Sequence, residues 1–272
     1  MKLERCPELE LMCALARQAS ELVMRIYATD FAVEMKGVDD PVTRADREAN
    51  TLICDALAAA FPQHGIVAEE SAPATPEELA DMQARPRTFF VDPVDGTREF
   101  ASKNGEFCVM IGLAEGGRAL AGVIAVPVEH KLLVGVVGEG AWREPLEPLR
   151  IGALAEPTEV LAVVSRSHRS ERTRRLLDQL GVSRTVPCGS VGVKAARVVE
   201  GAADLYVHPS TGAKLWDACA PDAILRAAGG ELGDLSGAPI DYRGELMVSR
   251  GLLATNPALF AKVLEVVRRD ES

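Results

Sequence analysis

Six residues, Asp92-Pro93-Val94-Asp95-Gly96-Thr97, constrain this chain more than any other stretch. They follow an apolar run, Phe89-Phe90-Val91, that reads as a buried strand ending where the carboxylates begin. Pro93 fixes one φ and turns Asp92, the Val94 carbonyl and Asp95 toward a common point. Hard divalent cations take oxygen ligands, and Mg²⁺ is commonly held by a few carboxylates together with substrate phosphates. Gly96 and Thr97 then open a helix whose free N–H groups can cradle a phosphate. Taken alone, the same six residues also read as an Asx-rich loop between a strand and a helix.

Length and charge narrow the alternatives. At 272 residues the chain suits one large domain or two tightly joined lobes. Hydrophobic residues make up 47% and aromatics only 4%, so Ala, Val and Leu must fill the core. A net charge of −10 with no basic stripe argues against a nucleic-acid polymer as partner. An acidic protein can still bind a small phosphorylated molecule when metal cations stand between them. The six cysteines are scattered without a C-x-x-C pair and read as buried free thiols of a reducing cytosol. No signal-peptide core opens the chain, and no apolar stretch approaches the roughly 20 residues of a membrane span. The expectation is a soluble, cytoplasmic protein.

Hydrophobic periodicity predicts a helix through Leu11, Leu15, Leu22 and Ile26, and a second from about Asp46 to Ala60. Gly65–Ala68 reads as a short strand, and Ser71–Arg87 as surface loop with a helical turn. Phe107–Ala114, Ala119–Val126 and Lys131–Val137 form the pattern of a strand meander. Leu161–Val164 is another strand, followed by helices at Ser170–Leu180, Val191–Glu200 and Asp217–Ala228, with Gly229-Gly230 past the end of the last. The pattern predicts an α/β sandwich of two fused lobes, divided between Arg143 and Val160.

Further acidic groups join the central motif: Asp46, the pair Glu69-Glu70 after the strand, and Asp217 after Trp216. Each has an ordinary use, as helix cap or solvated surface charge. Gathered together, such carboxylates would repel strongly unless cations neutralised them. Two or more Mg²⁺ ions can polarise a phosphoryl group, acidify a water and stabilise a leaving oxygen. Other phosphate and hydrolase machinery is missing. No G-x-x-x-x-G-K-[ST] loop, H-E-x-x-H or G-x-S-x-G occurs, and Asp92 and Asp95 are three apart rather than the two of a D-x-D nucleophile.

Asp46, Glu69-Glu70, Asp92–Thr97 and Trp216-Asp217 occur in the order of the lithium-sensitive, Mg²⁺-dependent phosphatase superfamily of inositol monophosphatase, fructose-1,6-bisphosphatase and the bisphosphate nucleotidases, which this chain resembles. The resemblance implies a layered αβαβα sandwich, with a metal-binding lobe over 1–150, a substrate lobe over 151–272 and the site between them. It implies that Glu69, Asp92, the Val94 carbonyl, Asp95 and Asp217 ligate two Mg²⁺ ions. Glu70 and Asp46 would serve a third ion and its water, and Thr97, hydrogen-bonded to Asp46, would activate the water. The Gly96 and Thr97 amides would hold the phosphate, and Lys36 stands where a basic residue is common.

Smaller cues separate subfamilies. Asp95–Phe100, Asn104–Phe107, Ser165–His168 and Lys214–Pro221 look like the CysQ-type 3'(2'),5'-bisphosphate nucleotidases. Ser167, His168, Ser190 and Lys194, with Asp217, would then contact the nucleotide. The expected reaction removes the 3'-phosphate of adenosine 3',5'-bisphosphate, a by-product of sulfate activation, in a lithium-sensitive enzyme that the resemblance makes a homodimer. An inositol-1-phosphate or broad sugar-phosphate phosphatase is the alternative of the same chemistry. A non-catalytic metal- or nucleotide-sensing regulator is the alternative of another class, which the intact Asp46 and Thr97 oppose.

Overall fold

The structure is a computed structural model that describes residues 6–37, 40–153, 156–166 and 170–270. The chain opens with α1 (Leu9–Tyr27), a hairpin of β1 (Val33–Gly37) and β2 (Asp40–Thr43), then α2 (Arg44–Ala60) and β3 (Gly65–Ala68). A single 3₁₀ turn, Glu69–Ser71, leads to α3 (Pro76–Gln83), β4 (Arg87–Asp95) and the short α4 (Thr97–Ala101). The meander follows as β5 (Cys108–Glu115), β6 (Arg118–Val126) and β7 (Lys131–Val136), extended by β8 (Gly140–Arg143) and β9 (Glu147–Leu149). Then come β10 (Leu161–Ser165), α5 (Glu171–Leu180), β11 (Arg184–Cys188), α6 (Val191–Val199) and β12 (Leu205–His208). The chain finishes with α7 (Leu215–Ala227), β13 (Glu231–Gly233), β14 (Leu252–Thr255) and α8 (Pro257–Asp270).

Among the described residues β3 to β9 form a seven-stranded sheet in sequence order, and a five-stranded sheet runs β11-β10-β12-β14-β13. Alternation along each strand sorts side chains into layers. Phe89 and Val91 of β4 pack with Met12, Ala16, Ile53 and Leu57 of α1 and α2. Phe90, between them, faces the other way into a layer with Val193 of α6, Ala220 and Ile224 of α7, and Tyr206 of β12. Ala162 and Val164 of β10 meet Leu176 of α5 and Leu259 and Val263 of α8 on the outermost side. The order is helix, sheet, helix, sheet, helix, the αβαβα sandwich expected.

A row of glycines sets how close the middle layer lies. Gly112, Gly122 and Gly135 are register partners across β5, β6 and β7. A Cβ on Gly122 would stand 2.4 Å from the Ala220 carbonyl oxygen, and one on Gly112 2.6 Å from Cys219. α7 therefore rests backbone-to-backbone on the large sheet, and its first turn is carried to the sheet's acidic end.

Differences from the sequence expectation are local. Ser71–Arg87 holds a full eight-residue helix, α3, opened by Thr75 and Pro76. The helices expected at Asp46 and Asp217 each begin two residues earlier, because the carboxylates lie inside the first turn rather than at its cap. All six cysteines are free, and no helix among the described residues is long and apolar enough to cross a membrane.

Candidate metal-assisted phosphatase site

A β-bulge builds the centre of the site. Asp92 pairs with Met110 and Asp95 with Cys108, so three steps along β4 answer two along β5. Such a bulge re-aims side chains beside active sites. Pro93, which cannot donate to the ladder, occupies this irregularity. Gly96 then turns with φ +96° to open α4, and a Cβ there would stand 2.8 Å from the Glu106 carbonyl oxygen.

Four aspartates from three elements, α2, β4 and α7, share one arrangement: one oxygen of each accepts a backbone N–H. Asp46 Oδ2 accepts from Thr43 N at 2.8 Å, and Asp92 Oδ1 from Val94 N at 3.1 Å. Asp95 Oδ2 accepts from Gly192 N at 2.6 Å, and Asp217 Oδ2 from Lys214 N at 2.7 Å. For Asp46 and Asp217 this is the returning half of a capping box at the start of α2 and α7. The capping and ligand readings of these residues are thus compatible, since a capping carboxylate still has a second oxygen. Asp46 uses its second oxygen, Oδ1, to accept from the Thr97 hydroxyl at 2.9 Å. That hydroxyl also lies 3.1 Å from the Val94 carbonyl oxygen.

Electrostatics show that the acidic groups share one region. Burial, then the charges of Glu69, Asp95, Asp217 and Asp46, push Asp92 well above the usual carboxylate range. Burial, followed by Asp95 and Glu69, raises Asp217 to about 8. Asp46 and Glu69 are also raised, in both cases chiefly by burial. Lys36 on the β1–β2 hairpin answers part of this charge. Its ammonium lies 3.0 Å from Glu69 Oε1 and 2.6 Å from Glu70 Oε1. Burial works to lower its pKa, but the two glutamates outweigh it and raise it.

The donor chemistry fits a hard divalent cation: carboxylates and one carbonyl, mutually repelling, partly neutralised by an ammonium. Among the described residues no three of these side chains are gathered into a finished coordination cage. Lys36 bonds to both Glu69 and Glu70.

Beside the acidic end lies a cavity of about 610 Å³ between the large sheet's α4 turn and the smaller sheet. Asp95, Gly96, Thr97, Ser190, Lys194 and Asp217 all line it. Lys194 is 3% exposed; its Nζ donates to the Gly189 carbonyl oxygen at 3.2 Å and lies 5.2 Å from the Tyr206 ring centre. Burial lowers its pKa against the opposing pull of Asp95 and Glu99. Ser190 serves the scaffold with its hydroxyl, donating to Asp95 Oδ2 at 2.5 Å and accepting from Val193 N at 3.0 Å. Its φ of +49° is uncommon for a non-glycine residue and is held by those two bonds. Ser167 and His168 lie outside the described residues.

Tyr206 and His208 of β12 also line the cavity, as does Glu99 of α4; the first two had no role in the sequence reading, and Glu99 entered there only within the Asp95–Phe100 stretch. A Leu-Tyr-Val-His alternation is the signal that could have found the first two, since it sends Tyr206 and His208 to the same face.

A sandwich of this layering with carboxylates at the end of its larger sheet is the architecture of the sugar-phosphatase class. The chain belongs to the inositol monophosphatase family, whose profile matches residues 6–271. It is 35% identical to the 3'(2'),5'-bisphosphate nucleotidase CysQ of Escherichia coli strain K12, over 86% of this chain and 93% of the relative. It is 31% identical to the human 3'(2'),5'-bisphosphate nucleotidase 1, over 89% and 88%. The extragenic suppressor protein suhB from Bartonella henselae superposes with a TM-score of 0.82 at 26% identity, covering 96% of this chain and 98% of that one.

Proposed function

We propose that this protein is a Mg²⁺-dependent phosphoric monoester hydrolase that removes the 3'-phosphate of adenosine 3',5'-bisphosphate, giving AMP and phosphate. The observation that carries this reading is the Thr97–Asp46 pair standing at the edge of a carboxylate cluster beside a cavity with one buried ammonium. Identity to named bisphosphate nucleotidases supports the choice of substrate.

Glu69, Asp92, the Val94 carbonyl, Asp95 and Asp217 would hold two ions, with Glu70 beside a third. Bound there, the cations lend Lewis acidity to the phosphoryl group and to water. The chain's own groups do the rest. Thr97 donates its proton to Asp46 Oδ1, which leaves the hydroxyl oxygen free to accept a proton from a water. Burial raises Asp46 above an ordinary aspartate, which makes it a stronger base toward that proton. The water oxygen bonds to phosphorus, the bond from phosphorus to the 3'-oxygen breaks, and that oxygen leaves as a hydroxyl by taking a proton from a solvent water. The Gly96 and Thr97 amides hold the phosphate, and Lys194 meets the phosphate that stays on the nucleotide. The same reading carries lithium sensitivity and a place in sulfur metabolism in the cytoplasm.

Purified protein with Mg²⁺ is expected to release phosphate from adenosine 3',5'-bisphosphate faster than from inositol 1-phosphate. The reverse ranking refutes the nucleotidase assignment and favours the inositol-phosphatase alternative.

A further inference from the structure

Glu106 lies in the loop before β5, outside the acidic cluster, yet it touches both sides of the cavity. Its amide donates to Asn104 Oδ1 at 2.9 Å, a local turn that fixes where the side chain leaves the loop. Its carbonyl oxygen is the atom that crowds Gly96. Its carboxylate crosses to the smaller sheet, where Arg166, just past β10, grips it with Nε at 2.9 Å and Nη2 at 2.7 Å. Arg197 of α6 adds a third guanidinium contact at 3.6 Å. The same carboxylate accepts the Gly189 N–H at 2.7 Å.

Gly189 carries that grip into the cavity wall. A Cβ there would stand 2.2 Å from Glu99 Cγ, so the backbone is pressed against α4. Its carbonyl oxygen holds the Lys194 ammonium, and the next residue, Ser190, is the strained one bound to Asp95. The N–H of Gly189 and its carbonyl lie in successive peptide units, the first held by Glu106 and the second by Lys194, so the backbone is tied on both sides of the Gly189 Cα. Asp95 is also held by the Gly192 N–H in the first turn of α6, so its anchoring does not rest on the Gly189–Ser190 segment alone.

We propose that Glu106 is a positioning residue for substrate selection: by anchoring the backbone at the Gly189 N–H, it places the next peptide's carbonyl, and with it the Lys194 ammonium, where a substrate's second anionic group arrives. This rests on the nucleotidase reading above. A bidentate arginine holds the glutamate in one geometry, and a charged acceptor gives the Gly189 N–H a stronger bond than a neutral one. Selectivity for a doubly phosphorylated substrate therefore depends on a residue that touches neither phosphate.

The test compares adenosine 3',5'-bisphosphate with adenosine 3'-phosphate, which differ only in the second anion. The readout is the ratio of kcat/KM for the two, in wild type, Glu106→Ala and Glu106→Gln, with thermal midpoints recorded for each. Glu106→Ala is expected to lower the ratio about tenfold, through KM for the bisphosphate; that equals about 1.4 kcal/mol of lost discrimination. Glu106→Gln matches the volume and still offers the Gly189 N–H an acceptor, so it falls between the two. A high wild-type ratio that both variants retain overturns the proposal, as does a parallel loss on both nucleotides. A wild-type ratio near one also overturns the proposal, since no second-anion selection is then present to be set, while the nucleotidase reading itself stands or falls on the separate ranking against inositol 1-phosphate.

Discussion

Asp46, Asp92, Asp95 and Asp217 each have one oxygen tied to a backbone N–H, so their orientation is set by the fold rather than by whatever they bind. Preorganised groups of this kind are worth more to a reaction than mobile ones, since no reorganisation is needed when charge moves. Thr97 and Asp46 act as one unit in this account. Thr97→Ala and Asp46→Asn are each expected to lower kcat by roughly 10²- to 10⁴-fold, the range of general-base catalysis, with KM little changed. The double variant should lose no more than the worse single one, because the two residues share one proton path. Steady-state phosphate release measures all three; losses that multiply would contradict a shared path. The roles at this scale were readable because the motif residues are chemically unusual together. Glu106 carried no role beyond its place in the Asn104–Phe107 stretch, and Tyr206 none at all, because one glutamate in a loop and one tyrosine in a strand are each ordinary in sequence.

α7 ties the site to the packing of the whole sandwich. Gly122 admits the Ala220 carbonyl against the sheet, and Gly122→Ala is expected to cost about 1–3 kcal/mol of stability as an overpacked contact. Urea unfolding would show it as a lower midpoint at unchanged slope; an unchanged midpoint would mean the helix can simply shift outward. Farther along α7, Asp222 is buried with Arg226 Nε 2.6 Å from Oδ1 and the Tyr242 hydroxyl 3.1 Å from Oδ2. Burial outweighs both partners and raises its pKa from 3.8 to about 6. The folded chain then holds this proton more tightly than the unfolded chain does. Its contribution is therefore greatest below about pH 4 and is lost as pH rises through about 6, a change on the order of 3 kcal/mol. Unfolding free energies at pH 4.5 and 7.5 should show wild type losing stability relative to Asp222→Asn; a constant difference would contradict the sign. Element types were legible from periodicity for α1, α2 and the β5–β7 meander. The start of α7 was not, because Lys214, Leu215 and Trp216 carry no standard capping side chain and Asp217 caps from inside the first turn.

At the scale of the molecule, two sheets meet across α6 and α7, and the cavity opens where the larger sheet's acidic end faces the smaller sheet. The layering followed from the resemblance, while the residues alone gave only an α/β sandwich. The short strands β11 to β14 pair out of sequence order, so local pattern could not have arranged them. Carboxylates from β4, α2, α7 and the turn after β3 raise one another's pKa at one end of the sheet, and divalent cations would relieve that repulsion. The most direct test is phosphate release from adenosine 3',5'-bisphosphate by the purified protein in EDTA and again after Mg²⁺ is restored in excess. The account predicts no turnover with the chelator and full recovery with the metal; undiminished turnover in EDTA would contradict it.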